Sequence, residues 1–155
     1  MIRELLSLSP EETEEAGARL GSSLGSDDVV YLQGDLGAGK TCFVRGLARG
    51  LGAAPREVAS PTFAIVHEYA DPGGRLVLRH VDLYRLEDRA ADLMSVGVPE
   101  ALGGAPVAIE WPGRAIRTLL PPTIEIVIER AAGETRRIRV GRTEGVLTPD
   151  PGRAS

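Results

Sequence analysis

Residues 34–41 read GDLGAGKT. They fit the pattern G-x-x-x-x-G-K-[ST] with Gly34, Gly39, Lys40 and Thr41. The chemistry served by that spacing is the binding of a polyphosphate. A backbone that wraps an anion must aim several N–H groups at it, and glycines allow both the torsions and the close approach. Asp35, Leu36, Gly37 and Ala38 complete the expected cradle between the two outer glycines. A helix beginning near Lys40 would add unsatisfied N–H groups and its positive dipole end. Lys40 is then expected to reach the β- and γ-phosphates, and the Thr41 hydroxyl to ligate Mg²⁺. Lys40 is the sole lysine in a chain with seventeen arginines. A position that escapes so strong a bias needs a compact ammonium on a flexible stem, which a planar guanidinium does not replace.

A nucleotide-bound Mg²⁺ calls for a carboxylate at the end of a neighbouring buried strand. Glu110 ends APVAIE, which is apolar on both faces as a central parallel strand should be, and is assigned to the metal, directly or through water. Asp82 ends LVLRHVD, a mixed run that reads as a hairpin strand, and is left to handle water or the γ-phosphate. SPTF at 60–63 precedes a strand and would lay Thr62 near the γ-phosphate and metal, as a nucleotide-sensing switch does. Trp111, the only tryptophan, follows Glu110 and would shield the site or meet a partner. His67 and His80 lie on paired strands with no serine–carboxylate constellation, and both are read as structural. The chain has no asparagine, so no Asn-Lys-x-Asp guanine reader exists, and adenine is favoured. DPGG at 71–74 matches Asp-x-x-Gly but reads as a hairpin turn.

These residues need elements to hold them. DDVVYLQG (27–34) is a short apolar run that breaks into glycine, hence a buried strand. KTCFVRGLARGLG (40–52) places Phe43, Val44, Leu47 and Leu51 on one helical face and stops at Gly52. An earlier helix opens at Ser9 as cap, Pro10 as first residue and Glu12 three after the cap. Residues 56–69 begin as a loop and become a strand, 70–75 turn, and 76–86 return. EDRAADLMSVGVPEALGG (87–104) reads as a helix broken near Gly97 and Pro99. Residues 105–111 form a short strand, and 123–130 with 136–140 a terminal hairpin. The expected fold is α/β: a three-layer P-loop NTPase-like domain with a mixed, mostly parallel central sheet and antiparallel edge hairpins. It occupies 1–142 as one domain, and 143–155 is a loose tail.

The chain length of 155 residues suits one core. No run of about 18 apolar residues exists to cross a membrane. The N-terminus turns acidic where a signal peptide would stay apolar, which predicts a cytoplasmic protein. Cys42 is the only cysteine, so neither an internal disulfide nor a cysteine zinc cluster is available. The net charge of −4 argues against tight binding of nucleic acid by the isolated chain.

GDLGAGKT, SPTF, HVDLYRL and IEWP, in this order and at these distances, resemble the TsaE (YjeE) family, bacterial P-loop ATPases of tRNA threonylcarbamoyladenosine synthesis. The resemblance spans roughly residues 9–140. It implies an ATPase that binds ATP/ADP and Mg²⁺ and acts with the TsaB–TsaD heterodimer, reaching tRNA indirectly through that complex. TsaD performs the acyl transfer; the ATPase supports multiple turnovers, with hydrolysis weak alone and partner-dependent. By position, Lys40, Thr41 and Glu110 match the phosphate and metal residues. Asp82 and Trp111 match positions that matter for activity or coupling, and Thr62 the switch threonine. The resemblance also puts Thr13 near the nucleotide base, with Arg136 approaching it from the terminal hairpin. Two departures stand out. Cys42 replaces a frequent threonine or serine, which weakens a hydroxyl contact while sparing the backbone contact to the α-phosphate. EWPG lacks the polar or acidic residue that often follows EWP. The alternatives are a small-molecule kinase and a nucleotide-gated binding module with negligible hydrolysis.

Overall fold

Val29–Leu32 is buried residue after residue, and so is Val107–Glu110. Strands without an exposed face must lie inside a sheet that is covered on both sides. The computed structural model, which describes residues 2–54, 57–59, 66–84 and 103–143, shows such a sheet. Its strands are β1 (Ile2–Ser7), β2 (Val29–Gln33), β3 (Glu57–Ala59), β4 (Val66–Ala70), β5 (Leu76–Asp82), β6 (Val107–Glu110), β7 (Ile124–Arg130) and β8 (Arg136–Arg142). The described helices are α1 (Pro10–Gly21), α2 (Lys40–Gly50) and α3 (Arg114–Leu119).

The strand order is β1-β8-β7-β2-β6-β5-β4-β3. β2 runs parallel to both β6 and β7, and β5 runs parallel to β6. β8 and β1 extend one side antiparallel, and β4 and β3 the other. The expected parallel centre with antiparallel edges is therefore present. Two features differ from the expectation. β1, an edge strand paired Ile2↔Gly141 to Ser7↔Arg136, was not foreseen. β5 is the hairpin partner of β4, yet it also pairs with β6 in the parallel centre. The contrast drawn between a central Glu110 and a peripheral Asp82 is thus smaller than the sequence implied.

The two faces of the sheet sort by strand alternation. Val30, Leu32, Leu78, Ala108, Ile124 and Ile126 pack with Phe43, Val44 and Leu47 of α2 and Ala16 of α1. Val29, Tyr31, Val81, Val107 and Ile109 pack with Ile116 of α3. Tyr31 buries its ring there, its hydroxyl donates to the Leu120 carbonyl at 2.5 Å, and burial pushes its phenol above the ordinary value.

α1 begins as its sequence requires. Ser9 Oγ accepts from the Glu12 N–H at 3.2 Å, and the Glu12 carboxylate reaches back to the Leu8 N–H. α1 then lies directly on α2. A Cβ added at Gly46 would stand 2.0 Å from the Glu14 carbonyl oxygen, and one at Gly50 would stand 2.0 Å from that of Ala18. Only glycine lets the two backbones approach so closely. The consequence is positional: α1 is held against the helix that begins at Lys40. The helix expected at 87–104 lies, apart from its last two residues, outside the described residues. So does the tail beyond Thr143, which still bonds Thr123 and Pro122.

Candidate nucleotide site

The C-terminal ends of parallel strands are where an α/β sheet opens a crevice. β2, β5 and β6 end there in Gln33, Asp82 and Glu110. The glycine loop leaves β2 and enters α2 at Lys40, with Gly39 as the N-cap residue at φ 111°. A side chain in that left-handed region would be strained, so the second glycine of the motif is required by the backbone. The loop is braced from the far end of the chain. Arg130 donates to the Leu36 carbonyl at 3.1 Å, and Arg136 Nε donates to the Ala38 carbonyl at 3.0 Å. Two loop oxygens that would repel an anion are thereby occupied by guanidinium groups. Gly37 makes room: a Cβ there would lie 2.3 Å from the Arg130 Nη2.

Lys40 is buried, and its Nζ donates to the carbonyls of Gly34 at 2.5 Å and Asp35 at 2.8 Å. The Trp111 ring covers the ammonium with its centroid 4.2 Å away. Burial draws the Lys40 ammonium below its ordinary pKa, against the opposing pull of Glu110, Asp35 and Asp82. Trp111 holds this position with φ 59°, the one positive φ of a non-glycine among the described residues. Strain of this kind persists where the surroundings fix it. Here the Trp111 N–H bonds the Leu32 carbonyl at 3.4 Å and its ring meets Tyr84 at 4.9 Å.

A cavity of about 260 Å³ is lined by Lys40, Thr41, Asp82, Tyr84, Glu110 and Trp111 together with loop residues. Asp82 and Glu110 are direct register partners across β5 and β6. Asp82 Oδ1 accepts from the Tyr84 N–H at 3.0 Å, and Glu110 Oε2 lies 2.5 Å from His80 Nε2. The Thr41 hydroxyl and the Glu110 carboxylate are hard oxygen donors lining this cavity, which fits Mg²⁺ completed by phosphate oxygens and water. Among the described residues no cluster of three His, Cys, Asp or Glu forms a metal cage of its own.

On the other side of the loop a second cavity, about 180 Å³, is lined by Pro10, Thr13, Glu134 and Arg136, and by Gly37, Gly39 and Cys42, which border both cavities. Thr13 and Arg136 thus line one cavity beside the loop. Thr13 Oγ1 is 2.7 Å from the buried Ser7 Oγ, which itself donates to the Ser9 carbonyl at 2.7 Å. Ser7 has one proton, so Thr13 donates to Ser7. Cys42 donates to the Pro10 carbonyl with Sγ 3.1 Å away, and burial raises its thiol pKa. DPGG forms the β4–β5 turn, where Asp71 Oδ1 accepts from Gly73 and Arg75. That turn is at the opposite end of β5 from Asp82. Thr62 lies outside the described residues.

Sequence reading did not anticipate Arg130, Tyr84 or the His80–Glu110 contact. Tyr84 sits inside DLYRL and carried a signal; Arg130 carried none, because its partner is 94 residues away.

A glycine loop between a parallel strand and a helix N-terminus, facing acids at the ends of the next two strands, defines a P-loop α/β domain. The comparisons make the assignment specific. The sequence model described as "Threonylcarbamoyl adenosine biosynthesis protein TsaE" matches residues 7–138. The tRNA threonylcarbamoyladenosine biosynthesis protein TsaE of Bacillus subtilis is 42% identical over 132 residues, covering 84% of this chain and 80% of the relative. The protein of the same name from Treponema pallidum is 41% identical over 136 residues, covering 87% and 97%. The crystal structure of Bacillus subtilis YdiB superposes with TM-score 0.69 at 33% identity, covering 92% of this chain and 86% of the other. The chain belongs to the TsaE family.

Proposed function

We propose that this chain is a Mg²⁺-dependent ATPase that serves as an accessory subunit in tRNA threonylcarbamoyladenosine modification in the cytoplasm. In this reading it acts on the TsaB–TsaD heterodimer to support turnover and meets tRNA only through that complex. One observation carries the enzymatic part: Lys40 and Thr41, at the start of α2, share a cavity with Asp82 and Glu110.

Lys40 would exchange its two carbonyl partners for β- and γ-phosphate oxygens, and the loop N–H groups would bind the remaining charge. Thr41 and Glu110 would hold Mg²⁺, which supplies charge neutralisation to the phosphates when bound. Asp82 is held at one oxygen by the Tyr84 N–H, and would orient the attacking water with its carboxylate. Trp111 would keep bulk water from the lysine side. The second cavity would take the nucleoside, with Thr13, Cys42 and Arg136 around it and adenine as the base. The switch role of Thr62 rests on its sequence context alone.

The test is ATP hydrolysis by wild type, Lys40→Ala and Asp82→Ala, alone and with TsaB–TsaD. Stimulation by the partners, lost in both variants, is expected. Wild type that binds ATP but never hydrolyses it, even with the partners, would leave a nucleotide-gated binding module and remove the role of Asp82.

A further inference from the structure

Glu110 is buried and has one carboxylate oxygen already engaged. His80 Nε2 lies 2.5 Å from Oε2, and both side chains are buried. A carboxylate only accepts, so Nε2 carries the proton of this bond. The contact follows from strand geometry. His80 and Asp82 are two apart on β5 and share a face. β6 pairs with β5 as His80↔Ala108 and Asp82↔Glu110, so the imidazole reaches diagonally along that face to Glu110. The ring is backed by His67 of β4, its direct register partner, with centroids 6.0 Å apart.

We propose that His80 is a positioning residue for the metal-side carboxylate: it anchors Oε2 of Glu110 and leaves Oε1 as the oxygen offered to a divalent cation at the bound phosphates. This rests on the nucleotide-site reading above. Lys40 lines the same cavity as Glu110. Glu110 is the strongest of the carboxylates acting on the Lys40 charge. Without a fixed partner the Glu110 carboxylate would be free to pair with that ammonium, in competition with a phosphate oxygen. Partners that orient a metal's ligands typically change metal affinity by about 10–100-fold when removed.

The test uses the full chain with ADP and Mn²⁺ or Mg²⁺ as probes. ADP affinity is measured by calorimetry in EDTA and in excess Mg²⁺, and Mn²⁺ binding to the ADP complex by electron paramagnetic resonance. His80→Met fills the space without a donor; His80→Gln keeps an N–H at the position of Nε2. His80→Met is expected to weaken Mn²⁺ binding about tenfold, with ADP affinity in EDTA within about twofold of wild type. His80→Gln is expected to stay within about threefold of wild type for Mn²⁺. On a Glu110→Gln background the methionine substitution should change Mn²⁺ affinity by less than about twofold. A folded His80→Met variant with wild-type Mn²⁺ affinity overturns the proposal, as does a glutamine variant no better than methionine. Should the methionine variant not fold, a tenfold loss in His80→Gln alone overturns it. Wild type that binds ADP with no metal dependence removes the metal reading of Glu110 and this inference together, whereas a defect confined to the variants bears on His80 alone.

Discussion

Lys40 carries two opposed demands. Phosphate binding needs its charge, and its burial works against that charge. In the unfolded chain a lysine keeps a pKa of about 10.4. Between the lowered folded value and this one, the unfolded chain binds more protons, so stability rises with pH through that window. Below the window the full cost of the buried ammonium is present; above it both states are neutral and the cost is gone. Lys40→Met is therefore expected to be more stable than wild type near pH 7, with an advantage that shrinks as pH climbs toward about 10.4. Urea unfolding of both proteins at pH 7.5 and pH 10 checks this. The same variant should lose about 1.5–3 kcal/mol of ADP binding, the worth of a hydrogen bond to a charged group. A variant less stable at every pH would mean that the carbonyls of Gly34 and Asp35 and the Trp111 ring repay the burial fully. The importance of Lys40 was legible in composition alone, since one lysine survives among seventeen arginines. The covering by Trp111 was only half legible. Its place next to Glu110 is plain in the sequence, but the positive φ that turns the ring over the ammonium is not.

Helices α1 and α2 were both legible, because Ser9-Pro10-Glu12 and the apolar face after Lys40 are strong local signals. Their contact was harder to see, although glycines four apart in each helix, Gly17 with Gly21 and Gly46 with Gly50, held the clue. Glycine inside a helix costs roughly 0.5–1 kcal/mol relative to alanine, so such positions usually repay the cost in packing. Here the return is backbone contact that carries Pro10 and Thr13 to the edge of the phosphate loop. Gly46→Ala should gain the helix propensity and lose more than it gains, because its methyl meets the rigid Glu14 carbonyl at 2.0 Å. Overpacking of this kind costs about 1–3 kcal/mol. The variant is expected to unfold at lower urea, and also to bind ADP more weakly as α1 is pushed from the loop. Loss of stability with unchanged ADP affinity would show that α1 does not position the second cavity. By contrast, Gly52→Ala, where an added Cβ meets nothing within 4 Å, should leave ADP affinity unchanged and pay only for its φ of 91°.

The whole sheet is what converges these pieces, and its long-range pairing is the part that local patterns do not encode. The loop at 34–41, Asp82, Glu110 and the arginines of the terminal hairpin meet only because β7-β2-β6-β5 run parallel in that order. β1 shows the limit most clearly: IRELLS alternates weakly, and it is a strand because β8 offers it an edge. The clamp of Arg130 and Arg136 on the loop carbonyls links the nucleotide site to the hairpin, and the hairpin in turn holds β1. Ligand binding at the loop should therefore stabilise the domain as a unit. ADP at a hundred times its dissociation constant is expected to raise the unfolding free energy by about 2.7 kcal/mol, in a single transition. Urea unfolding followed separately by Trp111 emission and by far-ultraviolet circular dichroism checks this, since the first reports the site and the second the sheet. Coincident shifts in both probes mean that loop, hairpin and edge strand unfold together. A shift of the tryptophan transition alone would mean that the arginine clamp does not couple the site to the sheet.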